Sequence, residues 1–154
     1  MRLKIPPLAL TMLLGLGIVI WSKLGPAIDI WSVPYAGLIG IGSCILGWAI
    51  VFSGVWRFRR QQTTMDPRSP GRASQLVTSG IYRLTRNPMY LGFLLFLLGL
   101  AWVSEHWLTF FVPFGFWLYM NQFQIKPEEE ALVGLFGEVY QQYCQRVPRW
   151  LVWR

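Results

Sequence analysis

The sequence predicts an all-α integral membrane bundle of about four transmembrane helices, arranged as two hairpins and followed by a C-terminal cytoplasmic amphipathic helix. Three observations support this prediction. The 154 residues are 54% hydrophobic and only 14% charged, which is far more apolar than an ordinary soluble domain. Several long intervals contain no charged residue, and apolar residues recur at helical spacing near the C-terminus.

The charge-free intervals are residues 5–22, 30–56, 87–104 and 106–125. Each is close to the length of about 17 to 25 residues with which a helix crosses a bilayer. The second interval is longer than needed, which favours a tilted helix or an interfacial first turn. Glu105 alone separates the third interval from the fourth, so we expect a tight antiparallel hairpin there.

These intervals divide a single membrane domain into four parts. An N-terminal helical hairpin occupies residues 1–56, a cytoplasmic loop 57–86, a second hairpin 87–125 and a cytoplasmic tail helix 126–154. The loop contains "DPRSPGR", in which two prolines and a glycine break helical structure.

Basic residues predict the orientation, because Lys and Arg near span ends stay on the cytoplasmic side of a membrane. With both termini inside, the basic residues of positions 1–4, 57–86 and 126–154 are cytoplasmic, and only Lys23 lies outside. This topology explains the net charge of +7, so we expect no nucleic-acid partner. No small-x-small pattern follows the first apolar run, and we expect this span to be retained and not cleaved as a signal peptide.

The cysteines and the histidine do not suggest a metal site. Cys44 lies in the second span and Cys144 in the tail, so they cannot plausibly pair, and there is no CxxC motif. His106 falls at the predicted outer hairpin turn, where an interfacial residue is expected more often than a ligand or a base. We therefore expect no bound metal.

The tail shows the pattern of one amphipathic helix over residues 128–145. Its apolar residues recur at intervals of three and four. Pro127 and the acidic residues after it suit a helix N-terminus, while Gly134 and Gly137 weaken the helix and allow a bend. The apolar face consists of Leu132, Leu135, Phe136, Val139, Tyr140 and Tyr143.

Charged residues gather at the cytoplasmic ends of the third and fourth spans. They are Arg83, Arg86, Glu128, Glu129 and Glu130. Because a hairpin brings its open ends together, the corners at Asn87-Pro88 and Pro127-Glu128 should be neighbours. This predicts a pocket for a zwitterionic ligand and for a second ligand arriving from lipid. The alternative is that the arginines are topological anchors and the glutamates a helix-capping cluster.

Two stretches carry a family resemblance. "LVTSGIYRLTRNPMYLGFLLFLLG" and "PEEEALVGLFGEVYQQYCQRVPRW" resemble the C-terminal half of the isoprenylcysteine carboxyl methyltransferase family and its bacterial members, and more distantly the phospholipid N-methyltransferases. The resemblance implies an enzyme of the bacterial inner membrane that uses S-adenosylmethionine. The cofactor would be enclosed by the second, catalytic hairpin, the loop preceding it and the C-terminal helix.

The resemblance also implies roles for individual residues. Arg86 and Tyr90 are the expected catalytic residues, with Arg86 or Arg83 orienting an anionic substrate and Tyr90 shaping the methyl channel. Arg149 and Trp150 would anchor the returning tail near the lipid headgroups. The expected cofactor contacts are Gln75, Leu76, Val77, Tyr82, Asn87, Pro88, Met89, Tyr90, Glu128 and Glu129. Gly92 and Gly99, seven residues apart, would permit close helix approach.

Two departures from the family pattern bear on the acceptor. Asn87 replaces the histidine of the eukaryotic enzymes and cannot act as a base near neutral pH. Gln124 replaces an arginine associated with the prenylcysteine carboxylate. The apolar spans make the lipid bilayer one expected partner. The other is a lipophilic or small amphiphilic acceptor with a carboxylate or a thiol. The alternatives are phospholipid or amine N-methylation, and a noncatalytic membrane scaffold with an Arg86–Glu128 ion pair.

Overall fold

The computed structural model describes residues 5–25, 34–60 and 76–151, and all regular structure in these ranges is helical. The all-α class predicted from the sequence is confirmed for this part of the chain. Short 3₁₀ turns occur at Gly80–Arg83 and Trp107–Phe110, and a π-helical segment occurs at Met120–Ile125. The α-helices are α1 (Pro7–Leu24), α2 (Ala36–Arg60), α3 (Pro88–Val103), α4 (Phe111–Tyr119), α5 (Lys126–Phe136) and α6 (Glu138–Arg146).

Helices α1 and α2 are long and apolar enough to cross a membrane, with 18 and 25 residues. Large apolar side chains such as Leu13, Ile45 and Phe52 are more than half exposed on them. A helix of a soluble bundle buries its apolar stripe and exposes polar residues, so this surface is suited to lipid. Helix α3 is equally apolar but has 16 residues.

Helix α3 packs against α2 through paired glycines. A Cβ atom built on Gly47 would lie 2.6 Å from the carbonyl oxygen of Gly92, and one built on Gly40 would lie 2.7 Å from that of Gly99. The glycines are seven residues apart on both helices, and the two pairs occur in opposite order along them. The helices therefore run antiparallel with their backbones in contact. The expectation that Gly92 and Gly99 permit close approach is confirmed.

Helix α3 also joins the two predicted hairpins, because α1 packs against it as well. Gly15 of α1 lies beside Phe96 and Leu100 of α3. His106 occupies the turn after α3, as predicted, close to the C-terminal end of α1. Its side chain is buried against Trp21, with 6.0 Å between the ring centroids. The α1 and α3 helices therefore meet along a closely packed interface.

The helix that begins at Phe111 continues through Pro127, so the corner predicted at Pro127-Glu128 is wrong. The π-helical segment leads directly into α5, and Lys126 has helical dihedral angles of φ −55° and ψ −51°. A proline inside a helix removes one backbone hydrogen bond, and Pro127 lies just after the π-helical segment, where the regular i→i−4 pattern is already interrupted. The residues after the fourth predicted span therefore extend that helix.

The tail consists of two helices where the sequence predicted one. Gly137 separates α5 from α6 and has φ +51°, a conformation that favours glycine. The bend allowed by the glycines therefore occurs at Gly137, while Gly134 lies within α5. Helix α6 folds back and forms a small apolar cluster with the start of the loop before α3. This tail core consists of Tyr140, Tyr143 and Val147, with Leu76, Leu132, Phe136 and Cys144 packed around them.

Candidate active site

The corner before α3 is held by both local and distant contacts. Pro88 is the first residue of the helix, and the buried Thr85 hydroxyl accepts a hydrogen bond from the N–H of Asn87 at 3.2 Å. The N–H of Arg86 donates to the carbonyl oxygen of Pro148 at 3.0 Å. The conformation of this corner therefore depends on the segment that follows α6.

Tyr90, Gln124 and Glu128 form a cluster that we call the Glu128 cluster. The Tyr90 hydroxyl donates to Oε1 of Glu128 at 2.7 Å, and the amide Nε2 of Gln124 donates to the same oxygen. Gln124 and Glu128 are four residues apart on one continuous helix, so they share a face, and Tyr90 approaches from the first turn of α3. Tyr90 and Glu128, which belong to different motifs of the sequence, are therefore in direct contact.

Arg86, Glu129 and Arg149 form a second group, the Glu129 cluster. Nη1 of Arg86 lies 3.0 Å from Oε1 of Glu129, and the Arg149 guanidinium binds both oxygens of that carboxylate through Nε and Nη2. The hydrogen bonds to Glu129 raise the pKa of Arg149, which remains charged. Arg86, which the scaffold alternative paired with Glu128, makes an ion pair with Glu129.

Two polar residues around the Glu129 cluster were not assigned from the sequence. Nη1 of Arg86 donates to Sγ of Cys144 at 2.6 Å, and Oδ1 of Asn121 accepts from Nε1 of Trp150 at 3.1 Å. Asn121 could have been found, because a polar residue inside an otherwise apolar span commonly marks a site. Trp150 is only 6% exposed and packs in the main apolar core, so it holds the returning tail through contacts within the protein, and its position near the headgroups stays a prediction.

Tyr82 presents a buried hydroxyl near the same end of α3. Its backbone carbonyl accepts a hydrogen bond from the Tyr143 hydroxyl at 2.7 Å, which fixes its position. Its own hydroxyl is buried and has no hydrogen-bond partner in the described part of the chain. Burial raises the pKa of Tyr82 far above its usual value, and the nearby Tyr143 and Glu128 raise it further. A neutral, unsatisfied hydroxyl is a group that a ligand could satisfy.

The other predicted site residues are distributed around these clusters. Val77 and Pro88 are buried, while Met89 is half-buried next to Gly54 of α2. Leu76 belongs to the tail core, and Gln75 lies outside the described residues. Arg83 is exposed, so its environment differs from that of Arg86, whose side chain is 11% exposed.

The acidic and sulfur-containing residues are not arranged as a metal site within ranges 5–25, 34–60 and 76–151. In these ranges no group of three or more His, Cys, Asp or Glu side chains could hold a metal ion. Glu128 and Glu129 instead accept hydrogen bonds from amide, hydroxyl and guanidinium groups. The site is therefore organised by hydrogen bonds and ion pairs.

Comparison with known proteins identifies relatives that contain the same region. Protein-S-isoprenylcysteine O-methyltransferase of Schizosaccharomyces pombe is 38% identical over 74 residues, which are 47% of this chain and 31% of that protein. Mouse Delta(14)-sterol reductase TM7SF2 is 34% identical over 85 residues, 53% of this chain and 19% of that protein. Methanethiol S-methyltransferase 1 of Bradyrhizobium diazoefficiens is 26% identical over 134 residues, 81% of this chain and 46% of that protein.

The chain spans less than half the length of each of these three relatives. No solved structure matches it significantly. The family model described as phospholipid methyltransferase matches residues 35–139, which contain both Tyr90 and Glu128. The resemblance predicted from the two motifs is confirmed, and the chain belongs to the phospholipid methyltransferase family, in which it resembles the isoprenylcysteine carboxyl methyltransferases.

Proposed function

We propose that the chain is an integral membrane methyltransferase that transfers a methyl group from S-adenosylmethionine to a carboxylate or a thiol of a lipophilic or small amphiphilic acceptor. The observation that supports this most is the hydrogen bond of 2.7 Å between Tyr90 and Glu128. It brings together the two motifs that the family resemblance assigns to cofactor binding. Two of the relatives are named as methyltransferases, one of an isoprenylcysteine and one of methanethiol.

The donors and acceptors around Glu128 fit the cofactor. S-adenosylmethionine, when bound, supplies a methyl group on a positively charged sulfur. The Glu128 carboxylate would bind its ammonium or ribose hydroxyls through charge-assisted hydrogen bonds. The Tyr82 hydroxyl has no hydrogen-bond partner among the described residues, and the bound cofactor would supply one. The remaining proposed contacts are Gln75, Leu76, Val77, Asn87, Pro88, Met89, Tyr90 and Glu129.

Tyr90 and Arg86 would act on the acceptor by position and charge. Tyr90, held by Glu128, would fix one wall of the methyl channel, and alignment of the reacting atoms supplies most of the rate in such a displacement. Arg86 would orient an anionic acceptor while it stays paired with Glu129. A carboxylate is already a nucleophile, and a thiol acceptor would react as the thiolate after losing its proton to water, so the proposal assigns no residue as general base. The positive charge of the sulfonium and the negative charge of the acceptor neutralise each other during the transfer, so exclusion of water by the apolar surroundings would favour the reaction.

The proposed setting is the bacterial inner membrane, with both termini and the active site on the cytoplasmic side. Helices α1 and α2 have the length and apolar surface for two spans, and α3 and the helix beginning at Phe111 would supply the third and the fourth. The arginines at the end of α2 and before α3 lie at the same end of the bundle as Glu128, in agreement with the positive-inside rule. Acceptors would enter from the bilayer.

The experiment is incubation of the purified protein in nanodiscs with methyl-labelled S-adenosylmethionine and three acceptor pools: small thiols, prenylated cysteine carboxylates and phospholipids. Mass spectrometry of the labelled product identifies the acceptor. Label in a thiol or a carboxylate is the expected result, and label in a phospholipid amine would favour the N-methyltransferase alternative.

Cofactor binding is measured separately by calorimetry. A protein that binds no S-adenosylmethionine would contradict the proposal and favour the scaffold. One relative is named a sterol reductase, and reduced nicotinamide dinucleotides are general hydride donors, so such a dinucleotide serves as the control ligand, and its preferential binding would indicate a reductase instead.

A further inference from the structure

The segment after α6 lies across the site as a strap, which we define as residues 148–150. The carbonyl oxygen of Pro148 accepts the N–H of Arg86 at 3.0 Å. The carbonyl oxygen of Arg149 accepts the Thr85 hydroxyl at 3.0 Å and the Asn87 side-chain amide at 3.1 Å. Two successive carbonyl groups of the strap therefore satisfy three donors from the corner before α3.

The side chains of the strap bind a different part of the molecule. The Arg149 guanidinium makes a bidentate contact with Glu129 in the first turn of α5, and Nε1 of Trp150 donates to Asn121 in the π-helical segment. Trp150 is buried and belongs to the main apolar core. The strap is thus bound both to the helix that carries Glu128 and to the corner before α3.

Arg149 makes both connections within one residue. Its carbonyl group holds Asn87, three residues before Tyr90, and its guanidinium holds Glu129, next to Glu128. We propose that Arg149 is a positioning residue that sets the distance between the first turn of α3 and the first turn of α5, and with it the geometry of Tyr90 and Glu128. This inference rests on the proposed function only in assigning cofactor binding to that pair.

The chemistry of the contact favours arginine over lysine. A planar guanidinium binds both oxygens of a carboxylate in a fixed orientation, whereas an ammonium binds as a point charge and does not fix the direction of its partner. Side-chain exposures of 28% for Arg149 and 18% for Glu129 leave the pair partly shielded from water, so its geometry is retained more firmly than that of a surface pair.

The test compares Arg149→Gln and Arg149→Lys with Arg146→Gln. Arg146 is an exposed residue of α6 whose replacement changes the net charge equally. The first readout is hydrogen exchange of the peptide covering residues 84–90 in the detergent-solubilised full chain without ligand. We expect faster exchange in Arg149→Gln, an intermediate rate in Arg149→Lys and an unchanged rate in Arg146→Gln. This readout reports on the strap even if the chain proves not to bind S-adenosylmethionine.

The second readout is the dissociation constant for S-adenosylmethionine, measured well below the unfolding temperature of every variant. Arg149→Gln should weaken binding about tenfold, because losing the bidentate contact with Glu129 loosens the pair that binds the cofactor, with partial recovery in Arg149→Lys. The double variant Arg149→Gln/Glu129→Gln should bind no more weakly than the weaker single variant, because both changes break one contact.

The proposal is overturned if Arg149→Gln exchanges and binds like the wild type, or if Arg146→Gln causes equal losses. If the wild type binds no cofactor but Arg149→Gln alone exchanges faster, the proposed function is refuted. The positioning role of Arg149 is then still supported.

Discussion

The Glu128 cluster and the Glu129 cluster are built on two neighbouring carboxylates with different partners. Glu128 accepts hydrogen bonds from Tyr90 and Gln124, which carry no charge. Glu129 lies between the guanidinium groups of Arg86 and Arg149. Consecutive residues of a helix point about 100° apart, so one carboxylate faces the start of α3 and the other faces the strap.

This difference indicates a division of roles between the two carboxylates. A carboxylate bound by two arginines is neutralised, and any ligand would have to compete with both cations. A carboxylate held by a hydroxyl and an amide can exchange those hydrogen bonds for an incoming cation or for ribose hydroxyls at lower cost. We therefore expect Glu128 to contribute more to binding and Glu129, which is also a proposed cofactor contact, to contribute more to stability.

The largest effect is expected from Glu129→Ala. This change leaves Arg86 and Arg149 without their shared counterion, and we expect a loss of about 3 kcal/mol in the free energy of unfolding, at the lower end for a buried ion pair because the three side chains are only partly shielded from water. Thermal unfolding in detergent measures the change. Glu130→Ala is the matched control, because Glu130 is the next residue and is exposed. Equal stability of the two variants would remove the distinction between the clusters.

Glu128→Gln should have the opposite profile. Glutamine keeps the size of the side chain and can still accept the Tyr90 hydrogen bond, so stability should change little. Binding of S-adenosylmethionine should weaken by about 2 kcal/mol, or roughly thirtyfold, through loss of the charge-assisted contact. Calorimetry on Glu128→Gln and Glu130→Gln measures this, and wild-type affinity in the Glu128 variant would show that the carboxylate does not bind the cofactor.

The convergence of Tyr90 and Glu128 could be predicted because each belongs to a motif at the end of an apolar span, and span ends meet in a hairpin. The partner of Arg86 could not be predicted in the same way. Glu128 and Glu129 are adjacent in sequence, and the choice between them depends on the rotation of α5 about its axis. That rotation is fixed by packing and by the continuity of the helix through Pro127, where the sequence predicted a corner.

The positions of the helices were predictable from charge-free length, but α2 continues to Arg60, four residues into the segment predicted as the loop, and the packing of the helices was less predictable. The spacing of Gly92 and Gly99 indicated a close helix contact without identifying the partner, which is α2 through Gly47 and Gly40. The contacts of the strap with the corner before α3 use backbone carbonyl groups, which every residue has, so no residue type in the strap marks them in the sequence. Such tertiary backbone contacts become visible only once the tail is folded back.

Tyr90→Phe tests the hydrogen bond within the Glu128 cluster. The phenyl ring keeps the packing, while Oε1 of Glu128 loses one of its donors, and we expect a loss of about 1.5 kcal/mol in cofactor affinity or in stability. The double variant Tyr90→Phe/Glu128→Gln gives the coupling between the two residues. Strictly additive effects on binding would mean that Tyr90 and Glu128 act independently, against their assignment to one cluster.

The smallest effect is expected from Tyr143→Phe, which removes only the hydrogen bond of 2.7 Å from the tail to the Tyr82 carbonyl. A neutral hydrogen bond of this kind contributes about 1 kcal/mol to the free energy of unfolding. Tyr143 belongs to the tail, and Tyr82 carries the hydroxyl that we propose contacts the cofactor. The change therefore also measures how strongly the tail positions the Tyr82 hydroxyl. Cofactor affinity should fall less than in Tyr90→Phe, with Tyr119→Phe as the control. A larger loss than in Tyr90→Phe would place the main binding contact at Tyr82 instead of Glu128.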